Sequence, residues 1–367
     1  MRQFFLALLC VSFTYAQTNV DPLLIADWKA QEQWVDSIYT QLSLDEKIGQ
    51  LFMVMAYSEQ GEAHFNQIKK EVVENHIGGV IFSLGDPVGQ THWLNELQAK
   101  ARTPLLIGMD AEWGVAMRLD SVRPFPWNMT LGAIQDNRLV EEVGFRIGEQ
   151  AKRLGVHINF APDVDINTNP KNPIIGNRSF GEDKENVAKK GIAFMNGMHR
   201  AGVLSSAKHF PGHGDSSKDS HLDLPLINFD KERLLSTEIY PFERLSEAGV
   251  SSIMVAHLNV PAFEEGMPSS LSKVIVQDLL IDRMQFKGLI ITDALNMGGA
   301  AEVAKINSID LAAFMAGNDI LLIPNDVKKA AKKMKRAFNQ GKFTEARLAH
   351  SVKKILKAKY KVGLNAF

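Results

Sequence analysis

The chain has 367 residues, 45% hydrophobic and 23% charged, with 27 Gly and 14 Pro, a globular balance that excludes disordered and collagen-like polymers. Lys and Arg total 41 against 42 for Asp and Glu, so bulk charge excludes a partner held by electrostatics alone, such as nucleic acid or an anionic lipid surface.

The first sixteen residues carry Arg2, an apolar stretch from Phe4 to Phe13, and Thr14-Tyr15-Ala16 before Gln17. This pattern predicts a signal peptide over 1–16 and an exported product, periplasmic or secreted. Cys10 is the only cysteine. As a lipidated residue it would make a lipoprotein, but Leu9 stands where a small residue is expected, so that reading is second. The mature chain from 17 onward then has no cysteine, and its stability cannot rest on disulfides. No later stretch reaches the ~20 apolar residues a spanning helix needs, so no stable membrane insertion is expected.

Short apolar runs recur at 51–56, 78–84, 104–109, 156–162, 202–207, 250–256, 288–293 and 319–323. Each is followed by a longer stretch, several of helical period. Leu139, Val143, Ile147, Ala151 and Leu154 form one apolar stripe; Leu234, Ile239, Phe242 and Leu245 form another. Runs apolar on both faces fit strands of a parallel sheet covered by helices. Eight such units predict an α/β fold, a single (β/α)8 barrel, with its core over about 40–325. Helices over 325–339 and 344–361 are expected to follow, with no second α/β domain. No Gly-rich phosphate loop of the dinucleotide or P-loop type occurs. The lysines of the last helices read as a solvated face.

In such a barrel the working residues follow the C-terminal ends of strands. Three segments stand out there: Asp110-Ala111-Glu112-Trp113-Gly114 with Arg118 beyond, the polar stretch from Lys208 to His221, and Thr292-Asp293. The second places three histidines in fourteen residues. One reading makes His209, His213, Asp215 and His221 metal ligands. But Phe-Pro-Gly between His209 and His213 opposes a shared helical face. In the other reading, Asp219 and His221, two apart in an extended loop, form an acid/base pair in which the carboxylate orients the imidazole. A loop knitted by side-chain hydrogen bonds explains the composition equally well. Asp293 ends an apolar strand, where a carboxylate is costly unless paired. It is either the cap of the next helix or, kept ionised by Lys208, Arg118 and Arg178, a nucleophile toward an electron-poor carbon. His257 either lines the mouth or is structural, and Asp163 and Asp165 read as partly structural.

The run Lys208-His209-Phe210-Pro211-Gly212-His213-Gly214-Asp215, followed by Asp219-Ser220-His221, resembles the signature of bacterial β-N-acetylglucosaminidases of glycoside hydrolase family 3, the single-domain NagZ type. The likeness continues through Leu44–Gln50, Gly78–Ile81, Asn159–Asp165, Gly176–Gly181 and Gly288–Asp293, over roughly 40 to 325. It implies removal of terminal β-linked N-acetylglucosamine with retention of configuration, from glycans such as peptidoglycan fragments or chitooligosaccharides. It implies Asp293 as nucleophile, His221 as acid/base assisted by Asp219, and Asp110, Arg118, Arg178, Lys208 and His209 as binders of the sugar hydroxyls. No cofactor or metal is implied. Two-domain β-glucosidases of the family take their acid from a second domain, for which this length leaves no room, so the acid is expected from the barrel. Where the family commonly has Glu-Gly-Gly-Arg, this chain has Glu112-Trp113-Gly114-Val115, with Trp113 either a sugar platform or packing. The alternatives are a β-glucosidase or β-xylosidase of the same family and a non-catalytic glycan-binding barrel.

Overall fold

The computed structural model describes residues 21–216, 224–297 and 308–366. The expected signal segment, Cys10, Asp219 and His221 therefore lie outside the described residues. Eight parallel strands run in the order β7-β6-β5-β4-β3-β2-β1-β8. They are β1 Phe52–Ala56, β2 Gly79–Phe82, β3 Leu106–Met109, β4 Ile158–Asn159, β5 Leu204–Phe210, β6 Ser252–Val255, β7 Leu289–Thr292 and β8 Leu321–Leu322. The ring nearly closes where Ile291 bridges Ile320 and the Thr292 N–H donates to the Ile320 carbonyl at 3.1 Å. All eight apolar runs of the sequence contain a strand, and almost every strand residue is buried, as a sheet covered on both faces requires.

One strand is longer than its hydrophobicity predicts. β5 continues past Ala207 through Lys208 and His209 to Phe210, so these two polar residues stand on the strand rather than in the loop after it. Backbone pairing carries it onward: Lys208 N–H donates to Pro162, and its carbonyl accepts from Val164 at 2.8 Å.

The helix Asn137–Arg153 buries Val140, Gly144, Ile147, Gly148 and Ala151. The expected stripe is thus rotated, and Leu139 is left 56% exposed. The rotation follows from close packing on the helix Lys184–Ala201, where a Cβ at Gly197 would lie 2.0 Å from the Glu141 carbonyl oxygen. The second stripe, Leu234, Ile239, Phe242 and Leu245, is buried throughout. No helix among the described residues is long and apolar enough to cross a membrane.

The C-terminal helices Val327–Asn339 and Glu345–Lys361 pack beside Leu44–Gly49 and Trp28–Gln41 at the N-terminal end of the strands. There Lys359 is wholly buried, and its ammonium donates to Gln50 Oε1 at 2.6 Å. Burial pushes this amine down to about 7. The folded value lies below the unfolded one, so between about pH 7 and 10 the unfolded chain holds a proton that the folded one lacks. Stability should rise across that window, by roughly 3 kcal/mol from pH 7 to 9.5 at 1.36 kcal/mol per unit. Lys359→Met is expected to stabilise the protein at neutral pH and to narrow the Tm difference between pH 7 and 9.5. An unchanged difference would show that the amine is not desolvated.

Candidate active site

At the C-terminal end of the barrel β3 hands on directly to Asp110. The Asn159 amide on β4 clamps the next residue, accepting from Ala111 N–H at 2.9 Å and donating to its carbonyl at 3.1 Å. This turn sets the Asp110 and Glu112 carboxylates on either side of Lys208, whose Nζ is 2.8 Å from each. Arg118 returns to Asp110 Oδ2 at 2.7 Å. Arg178 forks onto Glu112, Nη2 to Oε1 at 2.8 Å and Nε to Oε2 at 3.0 Å, while Asn128 Nδ2 holds the Arg178 carbonyl at 2.7 Å. The result is an alternating chain: Arg118, Asp110, Lys208, Glu112, Arg178.

Such buried charges persist only because each is paired and hydrogen-bonded. Burial alone would raise the Asp110 carboxyl, but Lys208 and Arg118 outweigh it and hold it well below the usual carboxylate range. Burial likewise opposes ionisation of Glu112, and Arg178 and Lys208 bring it down to about 2. For Lys208, burial favours the neutral amine, but Asp110 and Glu112 dominate and keep it charged.

A second tier lies around His209. Its Nδ1 is 2.7 Å from Asp165 Oδ2, and its Nε2 is 3.3 Å from Arg178 Nη2. A guanidinium can only donate, so Nε2 accepts and the proton sits on Nδ1, facing Asp165. Asp165 also accepts the backbone N–H groups of His209 at 3.1 Å and His213 at 2.6 Å. Gly214 lets this turn lie against the chain below, where an added Cβ would be 1.8 Å from the Ile166 carbonyl oxygen. His213 is 1% exposed, and among the described residues neither ring nitrogen has a hydrogen-bond partner.

Asp293 follows β7. Its N–H donates to Val255 at 2.8 Å, and its Oδ1 accepts from Ala294 N–H at 2.8 Å. No hydrogen bond from the described residues reaches Oδ2. Burial raises the Asp293 carboxyl, but the hydrogen bond from Ala294 N–H and the positive charge of Lys208 oppose it, and the net shift is downward. The carboxylate therefore stays ionised at neutral pH, with one oxygen fixed and one open.

A cavity of about 540 Å³ gathers Asp110, Arg118, Arg178, Lys208, His209 and Asp293 on one wall system, although they come from five separate parts of the chain. The six expected site residues within the described chain are thus brought together; Asp219 and His221 lie outside it. Four further residues belong to the constellation: Glu112, Asp163, Asp165 and His213. Acidic residues after β3 and β4 were visible in the sequence, but their pairing across the barrel is not a spacing signal.

The metal reading proposed His209, His213, Asp215 and His221. Among the described residues the converging group is instead Asp163, Asp165 and His209, with ligand atoms within 4.8 Å of one another. The Arg178 guanidinium already stands there, 3.7 Å from Asp163 Oδ2. Trp113 lies against Trp127 with ring centroids 4.1 Å apart, a contact that gives the packing reading its partner.

Paired charges and an ionised carboxylate beyond the C-terminal ends of parallel barrel strands stand where enzymes of this fold class carry their working residues. The family model described as glycosyl hydrolase family 3 N terminal domain matches residues 43–358. Beta-hexosaminidase A of Pseudoalteromonas piscicida is 34% identical over 291 residues, 72% of this chain and 49% of that protein. A glycoside hydrolase family 3 β-N-acetylglucosaminidase from Paenibacillus sp. str. FPU-7 superposes with TM-score 0.83 at 36% identity, over 89% of this chain and 64% of that one. The β-glucoside phosphorylase BglX superposes at 0.87 with 28% identity, over 92% and 62%. The chain thus spans from about half to under two thirds of the length of these relatives. It belongs to glycoside hydrolase family 3.

Proposed function

We propose that the protein is an exo-acting, retaining β-N-acetylhexosaminidase that removes terminal β-linked N-acetylglucosamine. The observation that carries the reading is Asp293: an ionised carboxylate with Oδ1 capped and Oδ2 open to a cavity lined by Lys208, Arg118, Arg178 and His209. The names of the β-hexosaminidase and β-N-acetylglucosaminidase relatives support the acetamido sugar. A neutral polyhydroxyl ligand also suits His213, whose buried ring nitrogens need partners.

In the first step Asp293 Oδ2 bonds to the anomeric carbon as the glycosidic C–O bond breaks, and His221 gives its proton to the departing oxygen. In the second, neutral His221 takes a proton from water, whose oxygen attacks the anomeric carbon and frees Asp293. Asp219 would hold His221 in the useful tautomer. The paired cations and carboxylates grip the sugar hydroxyls and exclude wrong orientations. Peptidoglycan fragments and chitooligosaccharides outside the inner membrane fit the signal-like leader.

Aryl β-N-acetylglucosaminide and aryl β-glucoside, each assayed with chelator and with or without inorganic phosphate, test the reading. Chelator-insensitive hydrolysis of the acetamido substrate is expected, whereas preference for the glucoside or a requirement for phosphate would overturn it. His221→Ala should lose most kcat/KM on poor leaving groups while sparing kcat/KM on an activated aryl leaving group, whose kcat then falls to the slowed hydrolysis of the glycosyl-Asp293 ester. Equal loss of kcat/KM on both, or loss on neither, would remove His221 from the acid role.

A further inference from the structure

His257 stands just beyond β6, wholly buried and behind the cavity wall rather than on it. Its Nε2 is 3.0 Å from the Ala294 carbonyl oxygen, and its Nδ1 is 2.6 Å from Ser270 Oγ. A carbonyl can only accept, so Nε2 carries the proton, and the bare Nδ1 accepts a hydrogen bond from the Ser270 hydroxyl. Ser270 is fixed in turn: its N–H donates to Ala256 at 3.1 Å, and its carbonyl accepts from Asn318 Nδ2 at 2.8 Å.

Ala294 is thus gripped on both sides. Its N–H donates to Asp293 Oδ1 at 2.8 Å, and its carbonyl takes His257 together with the Met297 N–H at 3.1 Å. The carboxylate itself has no ion pair within 4 Å among the described residues, so its direction depends on the peptide beside it. A misplacement of about 1 Å can cost on the order of 100-fold in rate.

We propose that His257 is a positioning residue: as a neutral imidazole in a single tautomer, anchored by Ser270, it holds residue Ala294 by its carbonyl, steadies the preceding peptide whose N–H fixes Asp293 Oδ1, and so aims the open oxygen of Asp293 into the cavity. The inference rests on Asp293 being the nucleophile. Because His257 does not face the ligand, its loss should lower kcat and leave KM nearly unchanged. Because it bonds as a neutral ring, burial pushing its pKa down is consistent with the geometry, and its removal should leave the shape of the pH–rate profile unaltered.

The experiment compares His257→Phe, His257→Gln and Ser270→Ala with wild type and Asp293→Ala. It uses aryl β-N-acetylglucosaminide kinetics from pH 5 to 8, and the rate of covalent labelling by an activated fluorosugar read by intact mass. His257→Phe is expected to lose ~30–100-fold in kcat and in labelling rate, at unchanged KM and profile shape. His257→Gln can still donate to the Ala294 carbonyl and should recover to within about 5-fold of wild type. Ser270→Ala keeps the ring but frees its tautomer, giving an intermediate loss and guarding against a phenylalanine variant that does not fold. Wild-type kcat in His257→Phe, equal losses in the Phe and Gln variants, or a loss expressed in KM would overturn the proposal. Turnover surviving Asp293→Ala, or label on another residue, would instead sink the nucleophile reading.

Discussion

Asp293→Ala is expected to lower kcat by ~10⁴-fold or more on aryl β-N-acetylglucosaminide, the largest functional effect of any single change here. The carboxylate would be the atom donor of a covalent intermediate, and no other described group offers an open, ionised oxygen on the cavity floor. The fold should survive. Asp293 spends its only described side-chain hydrogen bond on the adjacent Ala294 N–H, so far-UV circular dichroism and Tm should stay near wild type. Azide supplies a diagnostic outcome. A single displacement by azide in the space the carboxylate leaves inverts the anomeric carbon, so the alanine variant should form an α-glycosyl azide where the wild type yields a β-configured hemiacetal. Undiminished hydrolysis in Asp293→Ala, or a glycosyl azide product of β configuration, would remove Asp293 from the role.

The largest effect on stability is expected at Lys208→Met. Lys208 Nζ lies between Asp110 and Glu112, 2.8 Å from each, and is 2% exposed. Removing it leaves two buried carboxylates facing each other, with only Arg118 and Arg178 at the outer ends. Breaking such a buried arrangement costs ~3–5 kcal/mol, or roughly 10 °C in Tm for a chain of this size. The pH dependence gives the sign. Asp110 and Glu112 have folded pKa values below their unfolded values, so they contribute stability above about pH 4, lost as pH falls through the folded values. Without Lys208 those folded values rise and the contribution disappears. The gap in Tm between wild type and Lys208→Met should therefore be widest near pH 7 and shrink as pH falls through about 4. A gap independent of pH would mean that lost packing, not charge, sets the cost. Activity should fall as well, since Asp110 would lose the partner that holds its orientation.

The difference between Asp293 and Lys208 shows how the site divides its labour. Asp293 is loosely held by side-chain bonds and tightly held through its backbone, which suits a group that must form and break a bond. Lys208, Asp110, Glu112, Arg118 and Arg178 are mutually locked, which suits groups that recognise without reacting. The Lys359 amine at the opposite end of the barrel is a structural liability outside this machinery, and the expected gain from replacing it marks that contrast.

Much of this was determined by local chemistry in the sequence. Eight runs of β-branched and leucine residues predicted the eight strands, because a strand covered on both faces must be apolar at every position. Asp293 was legible as a carboxylate at the end of such a run; the polar stretch from Lys208 was legible as lying beside a buried strand, but its first residues, Lys208 to Phe210, stand on β5 itself. What the tertiary structure alone decided are relations between distant residues. That Glu112 belongs to Arg178 and Lys208, and Asp165 to His209, depends on β3, β4 and β5 being neighbours, and sequence spacing carries no such pairing. Leu139 faces outward because small residues let two helices approach closely, a fact about the partner helix rather than about residue 139. His257 is the sharpest case. One histidine after an apolar run is equally a ligand contact or a buried brace, and only the carbonyl of Ala294 on one ring nitrogen and the hydroxyl of Ser270 on the other decide between them.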